Sequence, residues 1–600
     1  MLEEDEQVSL NDGFSMPLIG DGHDGINYGS SPILSQKDEI KINVEGEGVS
    51  NSLTTFGDVF KKISTLAIPM GLSFTFSFEV FLAVLLMQLS SESEDETAAA
   101  TLVSTWMNTV CVFFMAPLFA VAVNLSGKLG AWREDEKQGH QSQANNSTAI
   151  QIWSPGATRE EKKEAIETTN INSLMIATAV TIPTTLLLAF AQPILTNVFG
   201  QNLGVAQAAQ KFFATYATAV PGLMARMSLE QIMFSFGKAG PAMWMAIPSF
   251  VIGSSISALL AFGVKLGSLV IPRMNQEGIA LGFVVESYIT AIAYGLFIAL
   301  NKECREFDFY KISFARMRRN LRELKNILHL GAAITFTVAI ELAFTLSVGI
   351  FSGLVSTEAQ SAMSYCMQFI YFEFIFIAAF GFSCTQEIRR ALGANRNDEA
   401  ALIGKYGLLT TLIYLTPIPV FFAAYPKALE VISGGAPPEI ARILTILVPI
   451  MAAGVILDTA RYNMLQQTRA LNDLLVPNTI ALIGMSAGVG ISAGLSLDTN
   501  LGIYGVGTGY TTGIGLTALA LLIRWLLNWN WLAKRQDIEA SEREEPAFNR
   551  CPRFFTRERA AQGAERRIIT EAKYDTLEGF EEPEDPVSRP FCSGLSCQIL

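Results

Sequence analysis

GAAITFTVAIELAFTLSVGIFSG, residues 331–353, decides the fold. From Ile334 to Ile350 the stretch is almost wholly apolar, with one carboxylate, Glu341, at its centre. With its flanks it has the length a helix needs to cross a hydrocarbon core of about 30 Å. A carboxylate at that depth costs several kcal/mol unless it faces protein or a watery cavity, so such a residue is a functional-site candidate by default. The rest of the chain reads as the scaffold that accommodates it.

Composition agrees. Half of the 600 residues are hydrophobic, only 16% are charged, and mean hydropathy is positive. A soluble chain carries nearer a quarter charged residues. The charges cluster between long apolar runs, which describes a polytopic helical membrane protein. The net charge of −13 sits largely in acidic tails and loops and excludes the basic face that nucleic acid needs. Seven scattered cysteines without CxxC spacing and three histidines suggest neither a disulfide framework nor a metal cluster. No nucleophile–base pair, Gly-rich phosphate loop or cofactor motif points to an enzyme. The first 50 residues lack a signal peptide's basic start and apolar core.

Twelve apolar spans are expected, at 64–89, 98–124, 171–198, 205–234, 241–263, 279–300, 327–353, 358–383, 404–425, 438–465, 475–497 and 503–527. Each must be helical, because nothing else satisfies the backbone in lipid. Residues 1–58 read as a disordered N-terminal tail, 59–300 as one six-helix bundle, 301–326 as a linker, 327–530 as a second six-helix bundle and 531–600 as a C-terminal tail. The linker and the loops after the second and eighth spans are rich in Lys and Arg; those after the first, seventh and eleventh have none. By the positive-inside rule the even loops and both tails are cytosolic. That puts the Asn145-Asn146-Ser147-Thr148 sequons inside, where they go unused.

The chain repeats itself. SGKLGAWREDE (Ser126 to Glu136) lies over RRALGANRNDE (Arg389 to Glu399) at an offset of 263, both read as loops. FTFSFE (Phe74 to Glu79) lies over FTVAIE (Phe336 to Glu341) at 262. Each half therefore places a glutamate midway along its first helix. Gly278-Ile279 over Gly502-Ile503 at 224 fits one longer loop in the first half. Two six-span halves of the same sense imply a pseudo-two-fold along the membrane normal, with sites near the midplane.

These residues resemble the multidrug and toxic compound extrusion (MATE) family over about 60–530. QEIRRALGANRNDEA (Gln386 to Ala400) looks like a MATE loop, and GKAGP (Gly237 to Pro241) like the family's GKTRP. Glu341 matches the seventh-helix glutamate, Asp458 the tenth-helix aspartate, and Glu79 falls where many bacterial members have a first-helix aspartate. The turn after Asp458 departs from the family pattern as Thr468-Arg469-Ala470-Leu471-Asn472-Asp473. The resemblance implies two bundles facing across a cleft, and an antiporter exporting organic, often cationic, compounds against H⁺ or Na⁺, with no further cofactor.

The chemistry fits. A partly buried carboxylate binds a proton, Na⁺ or an organic cation in ways that exclude one another. Glu341, Asp458, Glu79 and Glu373 are the coupling and substrate candidates, with Na⁺ most readily held at Glu341 and Asp458. Structural alternatives stand beside three of them: a hydrogen bond to a neighbouring helix for Glu341, a helix-packing contact for Glu79, and an ion pair with Arg461, one turn away, for Asp458. Glu230 is expected to pair with Arg226, and Glu286 to be structural. Tyr365, Phe369, Tyr371 and Phe372 could line a cation–π path or simply pack. Cys597-Gln598-Ile599-Leu600 fits a CaaX box with Cys592 as a second lipidation site, which would make a prenyltransferase a partner; chance is the alternative. Besides the antiporter, which would act as a monomer in contact with membrane lipid, two readings remain open: a flippase of the same superfamily for lipid or amphipath, and a membrane effector or scaffold whose transport has lapsed.

Overall fold

The computed structural model describes residues 55–77, 80–91, 93–137, 153, 157–266, 269–307, 321–432 and 437–529. Glu79, the Asn145–Thr148 run, both tails beyond these bounds, Cys592 and Cys597 lie outside the described residues.

The described residues are helical nearly throughout, as a backbone with no water to bond must be. The first half comprises α1 (Phe56–Ser77), α2 (Val80–Ser90), α3 (Glu94–Met115), α4 (Phe119–Lys137), α5 (Arg159–Ala189), the short α6 (Ala191–Asn197), α7 (Leu203–Tyr216), α8 (Val220–Ser235), α9 (Ala239–Phe262) and α10 (Asn275–Leu300). A one-turn α11 (Lys302–Arg305) follows. The second half comprises α12 (Leu321–Val355), α13 (Thr357–Gly393), α14 (Asn397–Leu415), α15 (Pro417–Ala424), α16 (Pro426–Ile432), α17 (Pro438–Ala470), α18 (Leu475–Leu497) and α19 (Ile503–Trp529). Among the described residues, ten helical segments are long and apolar enough to cross a membrane. The fourth expected span is built as two consecutive helices, α7 and α8; in the first, residues 78 and 79 between α1 and α2 lie outside the described residues.

Local sequence explains the helix ends. Ser93, Asn202 and Ser356 cap α3, α7 and α13 with their side-chain oxygens, and Thr158 with Glu161 forms a capping box on α5. Pro117 lies in a 3₁₀ turn between α3 and α4. One departure from an all-helical chain is a hairpin, Val264–Leu266 paired antiparallel with Leu269–Ile271.

The duplicated LGA motif was expected in loops; it is helical instead. Leu129, Gly130 and Ala131 sit inside α4, and Leu392 and Gly393 close α13. α13 has 37 residues, about 55 Å of helix, so its end runs well past the apolar core. There α4 and α13 meet backbone to backbone: a Cβ at Gly130 would lie 2.1 Å from the carbonyl oxygen of Arg390.

The structure extends the repeat further than the sequence comparison above. α8 and α17 align at an offset of 235, matching Val220 with Val455, Ala225 with Ala460, Arg226 with Arg461 and Gln231 with Gln466. Both helices end on a positive-φ residue at that offset, Gly237 (φ 76°) and Asn472 (φ 60°). The next helices keep it. Gly253 of α9 lets α10 approach, its Cβ position 3.1 Å from the Gly282 carbonyl, and Gly488 of α18 meets Gly513 of α19 at 2.6 Å. Small residues at such crossings are how membrane helices pack without a hydrophobic drive between them.

Candidate functional site

The acidic residues of the second half converge. Glu341 comes from the middle of α12, Asp458 and Arg461 from α17, and Glu373 from α13. Arg461 donates from Nη1 to Glu341 Oε1 at 3.0 Å and from Nε to Asp458 Oδ1 at 2.5 Å. Its side chain is 2% exposed, against 8% for Asp458 and 17% for Glu341. The ion pair that competes with a transport role for Asp458 is therefore present, and the same guanidinium also takes Glu341. Asp458 and Arg461 are three residues apart, so α17 holds them on one face; α12 supplies the third member.

Glu373 is 1% exposed, and neither of its oxygens has a hydrogen-bond partner among the described residues. Around it, Phe369 packs on Phe422 of α15 at 4.7 Å between ring centroids and Phe374 edges onto Tyr462 of α17 at 5.0 Å. Phe369 is buried, Tyr365 is half-buried, and Tyr371 and Phe372 are exposed. Tyr510 of α19 stacks on Phe344, one turn past Glu341.

The first half has its own buried polar cluster. Arg226, the repeat partner of Arg461, pairs with Glu286 of α10 at 3.3 Å. Glu230, expected to take Arg226, accepts from the Ser73 hydroxyl of α1 instead; Tyr294 donates to the Ala242 carbonyl at 3.2 Å. The arginine's long stem lets it reach the facing helix.

Arg461 is the member that residue-by-residue reading undervalued, because it entered only as a rival to Asp458. Its signal was the AR…Q pattern shared by 225–231 and 460–466. Asn463, by contrast, is structural: it donates to Thr411 at 2.8 Å and accepts from Gln467 at 2.6 Å. Among the described residues no three His, Cys, Asp or Glu side chains gather as a metal cluster.

At the opposite end of α13 the two halves are tied by charge. Lys62 of α1 reaches Glu387 at 2.9 Å and Glu399 at 3.5 Å. Arg390 pairs with Glu387 and donates to the Ser235 carbonyl of α8 at 2.8 Å.

Long apolar helices, a two-fold repeat and carboxylates inside the spans define a polytopic helical membrane protein. No protein-family model matches the chain. It is 25% identical over 386 residues to a probable multidrug resistance protein NorM of Pseudomonas aeruginosa, covering 63% of this chain and 76% of that one. A NorM of Agrobacterium fabrum is 23% identical over 353 residues, covering 56% and 71%. Among solved structures, the eukaryotic MATE transporter AtDTX14 superposes with a TM-score of 0.64 at 17% identity, over 80% of this chain and 98% of that one. An outward-facing MATE transporter of the MOP superfamily gives 0.66 at 12% identity, over 80% and 97%. In sequence the chain is similar to multidrug resistance proteins named NorM, and it shares the all-α, polytopic membrane fold of the solved MATE transporters.

Proposed function

We infer that the chain is a secondary antiporter that exports organic, mostly cationic compounds in exchange for H⁺ or Na⁺. The observation that carries this is the pairing of Glu341 and Asp458 with one buried arginine in the membrane-spanning part of the second half, with Glu373 buried on the adjoining α13. When all are ionised, the three carboxylates outnumber the two buried guanidinium groups of α17, Arg461 and Arg469, by one negative charge in a low-dielectric site. That surplus is relieved by a proton, a metal cation or an organic cation, and only one of them at a time. The relatives' name, multidrug resistance protein, supports a broad organic substrate. Glu79 joins this set by the repeat, as the first half's counterpart of Glu341. Tyr371 and Phe372, both exposed, are read as part of the substrate's path.

In this reading the two bundles, 59–300 and 327–530, rock about the site between inward- and outward-open states. The tie of Lys62 to Glu387 and of Arg390 to Ser235 breaks and re-forms each cycle. Both tails are cytosolic by the charge of the loops.

One observation favours a second reading. Arg461 and Arg469, both buried in α17, give the acidic site positive members. A mixed-charge site suits the headgroup of an amphipath, as a flippase needs.

The test is ethidium efflux from proteoliposomes, comparing wild type with Glu341→Gln and Asp458→Asn. Gradient-driven efflux that falls at least tenfold in both variants supports the antiporter. Wild-type protein that moves no ethidium but scrambles a fluorescent phospholipid selects the flippase.

A further inference from the structure

The three carboxylates are not equivalent. Glu341 and Asp458 already share a cation. Arg461 touches both, at 3.0 and 2.5 Å, and is 2% exposed. A guanidinium keeps its charge in a protein under all working conditions. A metal ion coordinated jointly by Glu341 and Asp458 would have to evict it. Eviction would leave a buried, unpaired guanidinium, and leaving one member of a buried pair uncompensated is strongly destabilising.

Glu373 is in the opposite situation. It is as buried as Arg461, and among the described residues nothing hydrogen-bonds to either oxygen. The charge acting on it is that of Asp458 on α17, which is negative. The other charged groups on the elements packed against α13 are committed elsewhere or remote. Arg461 on α17 and Glu341 on α12 hold each other, and Arg469, also buried on α17, is engaged by Tyr462 and Glu341. Lys62 on α1 and Glu399 on α14 belong to the tie at Glu387, fourteen residues on, about 21 Å along the helix. Lys128 on α4 bonds to Thr169 and the Ala165 carbonyl. On α16, Lys427 is exposed and Glu430 half-buried. A buried carboxylate with no partner for its charge is so costly to ionise that the group neutralises instead.

Resting on the antiporter reading, we propose that Arg461 is a built-in cation that closes the Glu341–Asp458 pair to Na⁺, and that Glu373 carries the exchanged proton. In the resting state Glu373 is a neutral carboxylic acid. When an organic cation arrives, the O–H bond breaks, the electron pair stays on the carboxylate and the proton leaves to water. The anionic Glu373 then faces the cation. Re-protonation from the other side of the membrane restores the neutral acid and releases the cargo. Charge in the site is conserved, one proton for one monovalent cation.

The experiment uses the full chain in lipid nanodiscs and two readings that need no substrate. Infrared difference spectra between pH 7 and pH 10 should show the carbonyl stretch of a protonated carboxyl that vanishes at high pH and is missing in Glu373→Gln. Scintillation binding of ²²Na⁺ should show no saturable site in wild type. Arg461→Gln, with the resident charge gone, should acquire one. A third reading adds ethidium to unbuffered wild type and should release about one proton per molecule bound.

A band absent at pH 7, or one that persists in Glu373→Gln, overturns the assignment of Glu373. Saturable Na⁺ binding in wild type that is lost in Glu341→Gln overturns the role of Arg461. Ethidium that binds without releasing protons overturns the coupling step. Failure of wild type to bind or move ethidium at all counts against the antiporter itself, while the infrared and Na⁺ readings still decide the assignments. Should Arg461→Gln fail to fold, the wild-type Na⁺ measurement carries that arm alone.

Discussion

Arg461→Met is the perturbation that tests the site's electrostatics most sharply. Methionine retains an unbranched stem of similar reach, so the main loss is charge rather than packing. The guanidinium contacts two carboxylates, and at 3.0 Å with an effective dielectric near 20 each attraction is worth about 5–6 kcal/mol. The loss is capped, because a stranded carboxylate can take up a proton. For a glutamate with an ordinary value near 4.3, holding that proton at pH 7 costs about 3–4 kcal/mol. The expected destabilisation is therefore about 3–5 kcal/mol at neutral pH, the range for a buried pair broken from one side.

The same cap fixes the sign of the pH dependence. The variant's native state holds a proton that its unfolded chain lacks at pH 7. Its stability therefore rises as pH falls, by about 2–3 kcal/mol between pH 7 and 5. Unfolding of a large membrane protein is irreversible, so the assay is the half-life of the folded state in nanodiscs at a fixed temperature. Arg461→Met should unfold at least tenfold faster than wild type at pH 7 and recover most of that at pH 5. The triple variant Glu341→Gln, Asp458→Asn, Arg461→Met, which removes both signs together, should recover at either pH. An Arg461→Met variant with wild-type half-life, or one indifferent to pH, would refute the reasoning.

Three further outcomes are expected. Gly130→Ala drives a Cβ into the Arg390 carbonyl and should cost on the order of 1–3 kcal/mol or more, whereas Gly349→Ala, with nothing within 4 Å, should be neutral or slightly stabilising; thermal unfolding of the two compares them directly. Glu387→Ala removes the partner of Lys62 and Arg390, a loss of about 1.5–3 kcal/mol. Amide exchange in Phe56 to Ile63 should then quicken on the order of tenfold, and unchanged exchange would mean that the tie does not hold the halves together. Outside the spans, burial first and the Glu303 carboxylate second push the Cys304 thiol up to about 12, with Lys238 and Arg133 pulling the other way. Its stabilising contribution is present below an ordinary thiol's value near 8.5 and is lost as pH rises toward 12. Maleimide labelling of Cys304 at pH 8 should be slower than in unfolded chain by a factor on the order of 10³, and rapid labelling of folded protein would contradict the burial.

The fold was legible because the bilayer leaves a chain few options. A run such as Ile334 to Ile350 can only be a helix, and the LGA and FT…E repeats announced the duplication. What misled was reading the ends of apolar runs as the ends of helices. Leu129 to Ala131 and Leu392 to Gly393 are polar-flanked yet helical, because α4 and α13 continue beyond the apolar core to pack on each other. Glu341, Asp458 and Glu373 stood out as charges inside spans, an anomaly visible in one dimension. Which of them is paired was not visible there. Arg461 sits three residues from Asp458 but reaches Glu341 across 120 positions of sequence, and Glu373's lack of a partner is a property of packing alone. Likewise Arg226 lies one turn from Glu230 but pairs across to Glu286 on α10, a distinction that helical spacing does not encode.

The central claim is obligatory exchange, and one measurement addresses it directly. Proteoliposomes holding the full chain, loaded with ethidium and a pH-sensitive dye, are followed for both species together. The account predicts that an imposed proton gradient drives ethidium uphill and an imposed ethidium gradient drives protons the opposite way, both lost in Glu373→Gln. Ethidium that equilibrates without moving protons in either direction, or that follows a Na⁺ gradient instead, would contradict it.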